Sequence, residues 1–143
     1  ILMELKECIN FLLSAAQHNV FQYLNVKLSS LGVTPSQYSV LSCLWGRSHA
    51  TPKQLAEILG IETSTVSGLL DRLQKNGLID RIVNSEDRRE VQVIATQKGR
   101  DLEGPVTKII DEVNAEVLKS FTPEEIDKLK NALRVIAAGK FEA

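Results

Sequence analysis

The chain is 143 residues long, 43% hydrophobic and carries a formal net charge of −1, which makes it one domain's worth of globular protein and excludes a disordered or strongly basic polypeptide. No apolar run reaches the roughly 20 residues that a membrane span needs, and the opening ILMELKECINFLL carries Glu and Lys within its apolar pattern, unlike a signal peptide. Cys8 and Cys43 are two isolated thiols rather than a disulfide framework, so a cytoplasmic location is expected.

Residues 2–31 read as one long helix, with Leu2, Leu5, Ile9, Leu12, Leu13, Ala16, Val20, Leu24, Leu28 and Leu31 recurring at helical spacing. Phe11, Phe21 and Val26 widen the stripe beyond what a one-sided surface helix needs, so a partner helix is implied. Gly32 ends the run. Thr34 followed by Pro35 starts the next helix, with Tyr38, Leu41, Leu44 and Trp45 inward and Gly46 as its stop. Ser36 and Gln37 lie in its first turn, where free N–H groups could hold a phosphate, or could simply be capped. Arg47 reads as a solvated residue of the connection that follows.

Thr51 and Pro52 repeat the same start, Leu55, Ile58 and Leu59 form an inner face, and Gly60 closes the helix with Ile61 anchoring the turn. A second helix follows at once, capped by Thr63 or Ser64 and running to about Asn76, with Gly77 as stop. Val66, Leu69, Leu70 and Leu73 fall on one face; Thr63, Ser64, Thr65, Ser67, Gly68, Asp71, Arg72 and Lys75 fall on the other. Such a short-side-chain polar face can enter a major groove about 12 Å wide without clashing, although hydroxyls discriminate bases weakly. Gly68 permits either close backbone approach to DNA or merely a lost contact. Residues 78–83 and 91–95 read as strands, the second with Val91, Val93 and Ala95 on one face, joined by a charged tip at 84–90. Arg88 and Arg89 at that tip suit a narrow minor groove, the alternative being a solvated turn with one structural ion pair. Residues 51–99 carry seven basic and seven acidic side chains, so the lobe is neutral and any DNA surface is a local patch.

Thr96 caps a last helical region whose stripe is Leu102, Val106, Ile109, Ile110, Val113, Val117 and Leu118, with a kink expected where Gly104 and Pro105 interrupt it. Thr122, Pro123, Glu124 and Glu125 form a capping box that opens a final helix with Ile126, Leu129, Leu133, Ile136 and Ala137 inward. These helices and the first have no large sheet to cover, which points to an interlocked dimerisation unit. A single winged module buries only about 600–1,000 Å² on DNA, and two half-sites about 34–36 Å apart recover specificity.

The stretch LAEILGIETSTVSGLLDRLQKNGLIDR, then Asp87, Arg88 and Arg89 as Asp-x-Arg, then Thr96 and Gly99 as Thr-x-x-Gly, resembles the MarR family of winged helix-turn-helix regulators over nearly the whole chain. The resemblance implies a mainly α fold with a small β-hairpin wing: an N-terminal dimerisation helix (1–33), a winged lobe (34–96) and C-terminal dimerisation helices (97–143). It implies a homodimer on pseudo-palindromic double-stranded DNA, with Ser36, Gln37, Thr51, Thr63, Ser64, Thr65, Ser67, Gly68, Arg72, Lys75, Arg88 and Arg89 as candidate DNA contacts. For Arg72 a phosphate contact and an intramolecular ion pair with the wing both stay open; the family also suggests an Asp71 pairing with Arg89, and a repressor released by a small aromatic or anionic effector. Phe21, Leu24, Tyr38 and Trp45 are then candidates to line the effector pocket, with core packing as the competing role for each. Where many members carry a longer polar residue, this chain has Gly68.

Two other readings stay open. A thiol-based regulator would use Cys8, which stands two residues from that subgroup's nominal position, occupied here by Asn10, and lacks its supporting tyrosines. A winged-helix module for protein interaction without DNA binding is permitted by the neutral lobe and by Gly68. Catalysis has no support, since there is no glycine-rich phosphate loop, no His-Glu-x-x-His and no Cys-x-x-Cys. His18 and His49 lack neighbours at ligand spacing, so no metal or cofactor is expected, and Cys43 reads as a small buried hydrophobe.

Overall fold

Three helices begin in the same way. Thr34, Thr51 and Thr122 each take an extended backbone, accept the N–H of Gln37, Gln54 or Glu125, and donate their own N–H back to that residue's side chain, with proline next in line. Each box satisfies two backbone donors that a helix start otherwise leaves without partners.

The computed structural model describes residues 2–83, 86 and 90–143. In chain order the elements are α1 (Leu2–Glu7), α2 (Ile9–Leu28), a 3₁₀ turn (Ser29–Leu31), α3 (Pro35–Trp45), α4 (Pro52–Leu59), α5 (Thr63–Lys75), β1 (Ile79–Val83), β2 (Val91–Ala95), α6 (Gln97–Asp101), α7 (Glu103–Leu118) and α8 (Pro123–Ala138). The mainly α fold with a hairpin wing is thus as expected. The single helix expected over residues 2–31 is not continuous. Cys8 is extended (φ −69°, ψ 126°) and separates α1 from α2, although no proline or glycine stands there. The kink expected near Pro105 takes the form of a break at Leu102, between α6 and α7.

β1 and β2 are antiparallel, with Ile79 opposite Ala95 and Val83 opposite Val91. Ala50 adds a one-residue bridge, exchanging both backbone hydrogen bonds with Val93 at 3.0 and 2.7 Å. That third rung ties the start of α4 to the sheet. The core fills the lobe: Val40, Leu41, Leu44, Leu55, Val66, Leu73, Ile79 and Val93 are fully buried, with Tyr38, Cys43, Trp45 and Leu102 packed around them. Outside the lobe, α7 lies along α2 and buries Val106 and Val113, with Lys27 and Glu112 paired at 3.5 Å.

The terminal helices are different. α8 buries no residue, and Leu129, Leu133 and Ile136 on its apolar side remain exposed, as do Leu5, Ile9 and Leu12 near the start of the chain. Ile126 at the start of that stripe is half-buried, but an amphipathic helix whose apolar side stays largely exposed among the described residues has much of its hydrophobic free energy still to be realised.

Candidate nucleic-acid interface

The side chains of α5 divide into two sets. Val66, Leu70 and Leu73 are buried in the lobe, whereas Thr63, Ser64, Thr65, Ser67, Gly68, Arg72 and Lys75 are exposed. The outer face is therefore shallow and polar over its first two turns and cationic in its last. Among the described residues neither Arg72 nor Lys75 has a hydrogen-bond or ion-pair partner, which leaves both charges directed outward. A Cβ at Gly68 would meet nothing within 4 Å, so the glycine is not demanded by packing within the chain.

The start of α5 differs from expectation. The N-cap position is Glu62, extended and without a capping hydrogen bond, rather than Thr63 or Ser64. The reason lies one turn back: Ile61 donates to Ala56 O at 3.1 Å to finish the left-handed close of α4 at Gly60 (φ 66°), so only Glu62 is left as a link. The Thr63 and Ser64 hydroxyls are consequently not consumed by capping. A cleft of about 630 Å³ opens beside this turn, lined among others by Lys53, Glu57, Ile61, Glu62 and Ser64.

Behind the face, Arg81 of β1 braces the helix. Its guanidinium donates to Asp71 Oδ1 at 2.6 Å and to Gln74 Oε1 at 2.7 Å, fixing two successive turns of α5 to the wing. Neither Arg81 nor Gln74 stands out as a functional residue in the sequence. A signal does exist: Arg81 shares the inward side of β1 with buried Ile79, and a charge at an inward strand position needs a partner. The family's expected partner for Asp71, Arg89, lies outside the described residues, as does Arg88, so their placement toward a minor groove is not part of this geometry.

The other proposed contacts separate. Ser36 is exposed at the start of α3. Gln37 takes the capping role of the two open to it: it is 5% exposed and its Oε1 accepts from Thr34 N–H, because the capping box draws the amide back against the chain. Thr51 is half-buried, and its hydroxyl accepts from Gln54 N–H at 3.1 Å.

This arrangement has known counterparts. The MarR family model matches residues 33–91. The chain is 30% identical over 131 residues to the organic hydroperoxide resistance transcriptional regulator of Bacillus subtilis, covering 92% of this chain and 88% of that one. This chain belongs to the MarR family. It is accordingly a DNA-binding transcriptional regulator and not an enzyme. A cysteine-to-serine mutant of E. coli MarR complexed with operator DNA is 26% identical with a TM-score of 0.84, over 90% of this chain and 92% of that one. CouR from Rhodococcus jostii RHA1 bound to p-coumaroyl-CoA is 25% identical with a TM-score of 0.83, over 97% and 98%.

Within this MarR chain the four effector-pocket candidates are spread between core and surface. Tyr38 and Trp45 pack on the lobe core with ring centroids 6.3 Å apart, and the Trp45 indole N–H donates to Gly99 O at 2.9 Å. Leu24 is half-buried and Phe21 exposed on α2. A second cleft, about 590 Å³, lies between α2 and α7 and is lined by Asn19, Val20, Tyr23, Glu116 and Val117, so none of the four candidates borders either cleft. Cys8 is exposed at the break between α1 and α2. Cys43 is half-buried, and burial pushes its thiol above its ordinary value against the opposing pull of Arg47, which suits a packing residue. Among the described residues no group of three His, Cys, Asp or Glu side chains could hold a metal, and no helix is long and apolar enough to cross a membrane.

Proposed function

We propose that the chain acts as a homodimer that reads pseudo-palindromic double-stranded DNA, with one α5 in each of two successive major grooves and the Arg88 and Arg89 hairpin in the flanking minor groove. The observation that carries this is the outer face of α5: short hydroxyls at Thr63, Ser64, Thr65 and Ser67 and exposed cations at Arg72 and Lys75, held by Arg81. Ser36 offers a phosphate contact from the first turn of α3, and Thr51 a weaker one. The balanced charge of residues 51–99 supplies little electrostatic affinity, so two lobes on one site are needed. The E. coli relative bound to operator DNA supports this placement.

The response we propose is repression in the cytoplasm, relieved by a small aromatic or anionic effector seated between the dimer helices and the lobe, a reading supported by the CouR complex with p-coumaroyl-CoA. Such a ligand acts only through its differential affinity for the two lobe spacings. A second reading is favoured by the exposure of Cys8 and by the B. subtilis relative named for organic hydroperoxide resistance: peroxide-triggered release that disappears in Cys8→Ser.

Footprinting the protein on DNA upstream of its own coding region is the deciding experiment. On the protected fragment, Arg89→Ala is expected to weaken binding to any duplex, whereas Ser64→Ala and Thr65→Ala mainly relax sequence preference, by less than the about 1–3 kcal/mol of a bidentate base contact because a hydroxyl discriminates bases weakly. Unchanged mobility of the operator fragment in all three variants means that the groove assignment is wrong.

A further inference from the structure

Residues 96–99 follow the wing and precede α7, yet most of their polar atoms are committed to other elements. The Thr96 hydroxyl accepts from Gly99 N–H at 3.1 Å, capping α6, and donates to Gly77 O at 2.6 Å, in the turn that ends α5. Thr96 N–H donates to Leu78 O at 3.1 Å, and Lys98 Nζ donates to Asn76 O at 2.9 Å. Gly99 is buried so tightly on the Leu78 carbonyl that a Cβ there would overlap it. The Trp45 indole N–H donates to Gly99 O at 2.9 Å. Three consecutive residues at the end of α5, Asn76, Gly77 and Leu78, thus have their carbonyls bonded from one tetrapeptide, and α3 is bonded to the same tetrapeptide.

We propose that residues 96–99 are a clasp that sets the pitch of the recognition helix against the dimerisation helices, making Thr96, Lys98 and Trp45 positioning residues for half-site spacing. The inference rests on the duplex-reading dimer proposed above. α6 is welded to α5 by the clasp and joined to α7 through Leu102, the break in the helical run, so α5 and α6 move as one body. Two such bodies, carried by α7 in each protomer, present their α5 faces at a fixed separation and rotation. With the clasp loosened, each α5 can tilt independently of α7. The protein then still reads each half-site but tolerates a wrong distance between them.

The test begins with selection of duplexes from a randomised library by the full chain. Binding is then compared on the selected duplex and on versions with one base pair added or removed between half-sites, which displaces a half-site by about 3.4 Å. Thr96→Val keeps the shape but removes the hydroxyl; Lys98→Gln, at an exposed position, is a second variant with little risk to folding. The loss of one such hydrogen bond changes an equilibrium by about fivefold. The expected result is that each variant binds the selected duplex nearly as well as the parent but discriminates against the respaced duplexes about fivefold less, and that Thr96→Ser restores discrimination. Trp45 is the only tryptophan, so its emission reports the clasp directly, shifting to longer wavelength in Thr96→Val as the indole gains water. Spacing discrimination at the parental level in both variants overturns the clasp while leaving the duplex reading intact. A selection that enriches no duplex overturns the duplex reading, and this inference with it.

Discussion

At the scale of single residues, the group that most affects the recognition face is one that touches no DNA in the proposed complex. Arg81 is about one-third exposed and Asp71 about two-thirds, so the pair contributes only the roughly 0.2–1 kcal/mol of a solvent-screened ion pair to folding. Its geometric effect is larger, because the same guanidinium holds both Asp71 and Gln74, one turn apart on α5. Arg81→Ala is therefore expected to lower the urea midpoint only slightly while weakening operator binding several-fold, since α5 must then be ordered at the expense of binding free energy. Parallel urea titrations and mobility-shift assays check this. A stability loss above about 2 kcal/mol, or undiminished affinity, would show that Arg81 is not a brace of this kind.

Among the elements, α8 buries no residue and leaves most of its apolar side exposed. Leu129, Leu133 and Ile136 line one side at 37–42% exposure, and Val135 and Phe141 are more exposed still. A second copy of the chain supplies equivalent apolar stripes, and a two-fold pairing buries each of these residues twice. Leu133→Glu places a carboxylate in that contact in both protomers. The dimer dissociation constant is expected to rise at least about a hundredfold, given about 1.5–3 kcal/mol for each buried leucine, with the helical circular dichroism of the lobe retained. Sedimentation velocity at micromolar protein reads the change, and an unaltered dimer places the interface elsewhere.

The same scale shows what the sequence makes legible. The starts of α3, α4 and α8 are readable because a capping box is local, four residues long and built from specific types. The polar and apolar sides of α5 follow directly from its period. The break at Cys8 is not readable, because none of the usual breakers marks it. Nor is the Ala50 rung, since it depends on Val93 from 43 residues away; for Arg81 the sequence signals the need for a partner but not which one, because that requires the strand to be in register beside the helix. Gln37 stays open in the sequence for a related reason: the residue type suits both a phosphate and a capping box, and burial decides between them.

For the whole molecule, surface and charge lead to the same expectation. A compact monomer of 15.8 kDa exposes about 7,300 Å²; this chain exposes 10,237 Å². The excess is far larger than one set of surface side chains explains and is in keeping with terminal helices that pack on a partner. With a net charge of −1 per chain, that dimer has no broad positive field to draw it to DNA. Its electrostatic attraction must come from a few cations at fixed places, and these can be counted by salt. Each phosphate neutralised contributes about 0.9 to the slope of log affinity against log salt concentration. Arg72 occurs once per lobe, so Arg72→Ala is expected to flatten the slope by about 2 for the dimer, with affinity lost in similar proportion on matched and mismatched duplexes. Lys128, paired with Glu124 on α8 at 3.2 Å, serves as the control and is expected to leave the slope unchanged when replaced by alanine. Titrations between 50 and 200 mM salt decide the matter. Should Arg72→Ala reduce affinity without altering the slope, its guanidinium acts through the conformation of α5 rather than on a phosphate, and the cationic last turn of the helix does not lie against the duplex backbone.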